Sequence, residues 1–288
     1  MKKTKTWIIT GASRGFGLEI SKAVLASGDN VVATVRSKPE ELAAKLDHHP
    51  KLYVAILDIS DEAQAIKVAA QTVEKFGSID VLANNAGFGL LGGVEEISDQ
   101  EARRVYETNV FGLLKVTRAV LPHMRRQRSG HVINFSSVGG LTGSAGWGIY
   151  CSTKFAVEGV TEALAKELAP LGIFATTVEP GYFRTNFLAS ASLLRAEKTI
   201  EDYAETAGAM REIATKVSYH QPGDPVKLAA AIVRLAGSPK PPVHLPLGVD
   251  TLKHYREKTE AFDKEIAEWH DLITSTDHDD VAARWPVE

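Results

Sequence analysis

Tyr150 and Lys154, in the stretch Gly148-Ile-Tyr-Cys-Ser-Thr-Lys-Phe155, have the residue types and spacing to move a proton. Four positions apart on a helix, they stack on one face one turn apart. A free phenol, with a pKa of about 10, is a poor acid-base group near neutrality. A nearby ammonium favours the phenolate, so the spacing predicts a Tyr150 pKa lowered by roughly 1–3 units. Such a group can hand a proton to a substrate oxygen or take one from it. Ser137 lies thirteen residues upstream. Chance supplies a Tyr-x-x-x-Lys pair often; the weight here comes from two earlier motifs, Thr10-Gly-Ala-Ser-Arg-Gly-Phe-Gly17 and Asn84-Asn-Ala-Gly87.

The elements that must position these residues are legible as an alternation. Short apolar runs rich in β-branched residues stand at 6–10, 30–35, 52–58, 80–86, 131–137 and 174–180, as expected of strands buried on both faces. Helical patterns lie between them, at 16–27, 61–76, 99–128 and 150–170, and 242–247 offers a closing strand. The β–α alternation predicts an α/β fold: a three-layer, doubly wound, Rossmann-type parallel sheet of about seven strands. We read 1–248 as one domain. Within it, 186–222 falls outside the alternation and precedes a helix opened by Asp224-Pro225. An insertion beside the carboxyl ends of the strands is where a substrate lid belongs. Residues 249–288 form a C-terminal extension with Leu252, Tyr255, Phe262, Ile266, Trp269 and Ile273 at helical spacing. The expectation is a helix packed on its own domain, with a subunit interface or pocket edge as the alternative.

Gly11, Gly15 and Gly17 fall in the turn from the first strand into the first helix, a context suited to a pyrophosphate approached by backbone N–H groups at a helix N-terminus. The end of the second strand selects the dinucleotide: a carboxylate there suits NAD, a cation suits the 2′-phosphate of NADP. This chain reads Thr34-Val-Arg-Ser-Lys38, with no acid before Glu40, and Arg14 adds a cation in the glycine loop. Arginine binds phosphate bidentately. The expected cofactor is therefore NADP(H).

The bulk composition excludes several classes. The chain has 288 residues, 44% hydrophobic and 24% charged, with a net charge of −3. That mild acidity argues against nucleic acid. No apolar run approaches the roughly 18 residues of a membrane span, and the start, MKKTKTWIITGAS, reads as a first strand rather than a signal peptide. A single cysteine, Cys151, excludes an internal disulfide and suits a reducing compartment, so the expected location is cytoplasmic. The acidic end, Asp277-His-Asp-Asp280, lacks metal-ligand spacing, and no metal is expected.

Over residues 5–235 the chain resembles the short-chain dehydrogenase/reductases, in their compact, non-extended branch. The resemblance is carried by Thr10–Gly17, Asp58, Asn84–Gly87, Asn109, Ser137, Tyr150 with Lys154, and the Pro180-Gly181 turn with Thr185. It implies a tetrad. Tyr150 is the general acid or base, and Lys154 lowers its pKa and holds the nicotinamide ribose. Ser137 orients the substrate oxygen, and Asn109 holds a water near Lys154. It also implies a cofactor shell of Gly11, Ser13, Arg14, Gly15, Phe16, Gly17, Arg36, Asp58, Ile59, Asn85, Ala86, Gly87, Pro180, Gly181, Phe183 and Thr185. Within this shell Asp58 takes the adenine amino group, while Phe183 and Thr185 orient the nicotinamide amide. Phe88, Trp147, Phe183, Phe187, Leu188, Leu193 and Leu194 imply an apolar substrate pocket, and the tail and the 186–222 lid resemble those of the steroid- and retinol-type carbonyl reductases. Anionic sugars fit less well, because the lid offers only Arg184 and Arg195. The expected activity is reversible reduction of a ketone or aldehyde on a small hydrophobic molecule; the alternative is a non-catalytic NADP(H) sensor. The long tail departs from the compact pattern and would obstruct a four-subunit assembly, leaving a homodimer as the expected oligomer.

Overall fold

Apolar residues run uninterrupted through the strands because both faces of their sheet are covered. The structure, a computed structural model, describes residues 4–189 and 192–278. Its main sheet has seven parallel strands in the order β3 (Leu52–Ile56), β2 (Asn30–Val35), β1 (Thr6–Ile9), β4 (Val81–Asn84), β6 (Gly130–Phe135), β7 (Ile173–Pro180), β9 (His244–Leu247). Alternate strand residues feed two cores. Trp7, Ile9, Val31 and Ala33 pack against α1 (Gly15–Ala26), α2 (Pro39–Lys45) and α9 (Pro225–Ala236). Ile8, Val32 and Leu82 pack against α3 (Glu62–Phe76), α5 (Leu113–Gln127) and the end of α7 (Gly148–Leu168). The chain winds outward from β1 to β3 and returns to β4 beside β1, so the order reverses there and opens a crevice beyond the carboxyl ends of both strands.

Several boundaries differ from the sequence expectation for physical reasons. The single helix expected over 99–128 is divided into α4 (Asp99–Tyr106), a π-helical turn over Glu107–Gly112, and α5. Asn109 sits in that turn, with its side chain taken up by backbone outside the helix. The lid is more ordered than an insertion need be: β8 (Leu193–Arg195) pairs in parallel with β5 (Gly89–Leu91), and α8 (Ala209–Lys216) follows. Between β5 and β8 in sequence also lies the short α6 (Val138–Leu141).

The C-terminal extension requires a correction. It is helical, as α10 (Val249–Glu268) and α11 (His270–Thr274), but it meets the domain only along the first half of α10, the last contact among the described residues being Lys258 on the Leu141 carbonyl and the Phe155 ring. Thr251 is buried, and Asp250 accepts a 2.6 Å hydrogen bond from the Tyr182 amide. From Tyr255 to Ile273 every residue is exposed. The helix leaves the domain before its apolar stripe can meet it. Asp279 and Asp280 of the acidic end, Met1–Lys3 of the start, and positions 190–191 of the lid lie outside the described residues. No described helix is long and apolar enough to cross a membrane.

Candidate active site

The loop after β1 is built around glycines that leave no room for a side chain. Gly11 has φ +66°, and a Cβ on it would lie 2.9 Å from the Ala86 Cα; a Cβ on Gly17 would lie 2.5 Å from the Gly11 carbonyl oxygen and 2.7 Å from Asn85 Nδ2. The Asn84–Gly87 segment is tied to the same loop. Thr10 Oγ1 accepts from the amides of Asn85 and Ala86 at 3.0 Å each, and Asn85 Nδ2 donates to the carbonyls of Thr10 (2.8 Å) and Gly11 (3.2 Å). The first turn of α1 has no acidic residue and no side-chain cap, so its amide donors face the crevice without an internal anion.

One cleft of about 380 Å³ runs from this loop to the lid. Ser13, Arg14, Gly15, Phe16, Arg36, Asp58, Ile59, Asn85, Ala86 and Gly87 line it on the β1–β4 side, with Gly11. Ser137, Tyr150, Lys154, Pro180, Gly181, Phe183 and Thr185 line it beyond. Two predicted residues stand behind the wall instead of on it. Gly17 is buried against Gly11 and Asn85, so its contribution is to let the loop close. Asn109 is buried, its Oδ1 accepting from the Phe88 amide (3.1 Å) and its Nδ2 donating to the Phe88 carbonyl (3.0 Å) and Thr153 Oγ1 (3.2 Å). Its amide thereby holds the Gly87–Phe88 backbone.

On α7 the buried face carries Tyr150, Lys154 and Glu158 at successive turns. Lys154 Nζ donates to the Phe135 carbonyl at 2.8 Å and lies 5.8 Å from the centre of the Tyr150 ring. Ser137, extended at the end of β6, accepts from the Gly139 amide at 3.1 Å, and a Cβ on Gly139 would meet both the Tyr150 ring (3.5 Å) and Ser137 Oγ (3.6 Å). Ser136 points the other way and donates to the Lys154 carbonyl. This is the alternation expected of an extended segment.

The electrostatics correct the sequence expectation for Tyr150. Burial disfavours the phenolate and moves the phenol above its ordinary value, and the contact with Ser137 offsets this only in part. Lys154 moves down to about 8, because burial disfavours its ammonium more than Glu158 supports it. Nearness to a lysine predicted a lowered tyrosine; desolvation, which spacing does not reveal, outweighs it.

The two rims differ in charge and polarity. Arg36 and Asp58 are exposed on the cofactor side, and Asp58 is held below the usual carboxylate range by the Ser60 hydroxyl and amide, with Arg36 and Lys115 contributing. Arg14 Nε donates to Ser192 Oγ of the lid at 3.1 Å. All seven residues expected in the apolar pocket line the cleft. Trp147 and Phe187 flank the Tyr150 ring at 5.6 and 5.7 Å, whereas Phe183 meets Phe16 edge to face (5.4 Å) at the cofactor side. Arg184 and Arg195 are turned away, to Gln221 and to Arg211 and Thr215.

Sequence reasoning missed two clusters. Glu96, fully buried, pairs with Arg211 and accepts from the amides of Gly93 (2.6 Å) and Ile200 (2.9 Å), which lowers its pKa to about 2 and pins the lid to the body. Beneath Lys154, Glu158 and Glu179 are buried together, each 3.4 Å from His244 Nδ1. Burial and the neighbouring carboxylate push Glu179 up to about 8, so the pair holds a proton near neutrality. No spacing motif could have flagged either, since their members lie on separate elements.

Comparison with known proteins places the chain in a family. The family model for short chain dehydrogenases matches residues 5–195, and the chain belongs to that family of oxidoreductases. It is 37% identical to the oxidoreductase BOA17 of Botryotinia fuckeliana, across 93% of this chain and 98% of the relative. It is 38% identical to bovine retinol dehydrogenase 8, across 83% and 80%. The solved short-chain dehydrogenase from Streptomyces avermitilis superposes with a TM-score of 0.88 at 39% identity, covering 96% of this chain and all of that one. Chains of the same fold have been solved with NADP bound, at 26% identity and TM-score 0.73, and with NAD bound.

Proposed function

We propose that this protein is an NADPH-dependent reductase of ketones or aldehydes on hydrophobic molecules, with Tyr150 as the proton donor. The observation that carries the reading is the buried phenol between Trp147 and Phe187, beside Ser137 and Lys154, in a cleft continuous with the glycine loop. The cradle fits a dinucleotide. A Cβ on Gly11 or Gly17 would push its loop apart, the α1 amides face it, and the rim carries Arg36 where an NAD site would carry an acid. Bound there, the nicotinamide supplies the hydride.

The chain's own residues account for the proton. A carbonyl oxygen between Ser137 and Tyr150 accepts hydrogen bonds from both hydroxyls, which orient it and stabilise the charge that develops on it. The raised pKa keeps Tyr150 protonated through neutrality, the form a general acid for reduction requires. As the phenol proton passes to that oxygen, the Lys154 ammonium stabilises the phenolate left behind. Lys154 carries that charge below about pH 8, so reduction should decline above it. Asn109 fixes the Gly87–Phe88 backbone beside Lys154, and Trp147, Phe187, Leu188 and Leu193 exclude water and favour an apolar chain or ring system. The relationship to retinol dehydrogenase 8 supports a substrate of this class.

The test is a panel of aldehydes, ketones, steroids, retinoids and quinones with NADPH and NADH, on the native chain and Arg36→Asp. We expect NADPH oxidation with apolar carbonyls, at least tenfold preference over NADH, and a preference reduced about 10–100-fold by Arg36→Asp, the value of one or two charge-assisted hydrogen bonds. Equal kcat/KM for the two cofactors in the native chain would overturn the cofactor assignment.

A further inference from the structure

Six exposed apolar residues of the C-terminal helices, Leu252, Tyr255, Phe262, Ile266, Trp269 and Ile273, fall with Thr259 in strict alternation of three and four, while Val249 and Leu272 lie off that stripe. This is a heptad seam, the spacing that keeps one stripe of a helix facing a second helix along its length. The ladder continues across the junction of α10 and α11, with Trp269 N–H donating to the Glu265 carbonyl (3.0 Å) and Ile273 N–H to the Trp269 carbonyl (2.9 Å). Leu252, Tyr255, Phe262, Ile266, Trp269 and Ile273 are 40–60% exposed, and no described element covers them. In proteins most helical stability comes from packing an amphipathic face.

We propose that a second copy of this chain covers this stripe, pairing the two C-terminal helices antiparallel about a two-fold axis. The flanking charges favour that occupant. Antiparallel helices bring like flanks together, so with the layers Leu252–Trp269, Tyr255–Ile266 and Thr259–Phe262 in register, Arg256 of one copy meets Asp263 of the other and Lys258 meets Glu265. Arg256, Asp263 and Glu265 have no ion-pair partner within their own chain among the described residues; Lys258 rests on the Phe155 ring (4.7 Å) and the Leu141 carbonyl. A parallel pair would stack Thr259 on Thr259 and Trp269 on Trp269, and would crowd both domains at one end. Each copy offers six large side chains exposing roughly half of ~200 Å², about 600 Å² per copy. A pair thus buries about 1,200 Å², the lower range of stable interfaces. The polar face mixes Glu257, Glu260 and Glu268 with Lys253 and Lys264, unlike the basic face of a helix that lies on an anionic bilayer.

Light scattering on the eluting full-length chain tests this. The native protein should run at twice 31.2 kDa at micromolar concentration. The double variant Phe262→Asp/Ile266→Asp should run as a folded monomer with an unchanged thermal midpoint for the domain, its dimer dissociation constant raised at least 100-fold. Asp263→Arg should weaken the dimer about tenfold or more, and Arg256→Asp/Asp263→Arg should restore it. A native monomer, whether or not it sediments with phosphatidylserine vesicles, would overturn the proposal. So would a dimer that survives Phe262→Asp/Ile266→Asp, or a charge swap that fails to rescue.

Discussion

The two walls of the cleft are held in different ways. The cofactor wall is backbone tied by two local polar side chains: Thr10 Oγ1 and Asn85 Nδ2 lock the glycine loop to the Asn85–Gly87 segment at the ends of β1 and β4. The lid wall is held by contacts between segments far apart in sequence, among them the three-residue β5–β8 pairing, the buried Glu96 with Arg211, Arg14 on Ser192 and Glu101 on the Glu197 amide, and it presents apolar side chains to the cleft. The difference teaches how one fold divides its labour. A cofactor of fixed shape suits a rigid, locally encoded cradle, whereas a substrate is selected by a segment whose sequence can change without disturbing the sheet.

That contrast can be broken from either side. The largest effect is expected at Gly17→Ala, where the added carbon meets the Gly11 carbonyl at 2.5 Å and the Asn85 amide at 2.7 Å. The loop must open, costing ~1–3 kcal/mol of stability and at least 100-fold in NADPH affinity, read by cofactor fluorescence titration. An unchanged affinity would mean that the cradle is not rigid. Glu96→Gln attacks the other wall. Its loss of charge leaves Arg211 poorly paired, so the lid should loosen: KM for an apolar carbonyl should rise about tenfold while the NADPH dissociation constant stays within twofold. Equal changes in both would show that the two walls are mechanically one.

The effect with least bearing on either wall concerns the floor beneath Lys154, and it is read in stability alone. Glu179 has a folded pKa of about 8, above its unfolded value, so its contribution to stability is complete below about pH 4.5 and is lost as pH rises through about 8. Glu179→Gln should flatten the fall in stability across that window by up to a few kcal/mol, measured by urea unfolding at pH 5, 7 and 9. A native protein equally stable at pH 5 and 9 would contradict the assignment.

The same division explains what was legible in the sequence. The cofactor wall lies in contiguous stretches, Thr10–Gly17 and Asn84–Gly87, whose types and order announce it, and Tyr150 with Lys154 is fixed by helix geometry alone. The lid's position as an insertion was legible; its attachments were not, since Glu96 meets Arg211 across 115 positions. Periodicity over 99–128 gave helix throughout but not the π turn, which Asn109 marks by bonding to Phe88 instead of its own helix. The sign of the Tyr150 shift depends on burial, a property of the assembled site. In the tail, apolar spacing revealed a stripe but not what covers it, and the domain turned out not to.

The central claim is that Tyr150 delivers the proton in carbonyl reduction. It is tested most directly by measuring NADPH oxidation and NADPH affinity on one preparation of Tyr150→Phe beside the native chain. The account predicts turnover of an apolar carbonyl lowered about 10²–10⁴-fold, with NADPH affinity within a few-fold. Turnover retained in Tyr150→Phe would contradict it, as would a native chain that binds NADPH tightly yet turns over no member of the carbonyl panel.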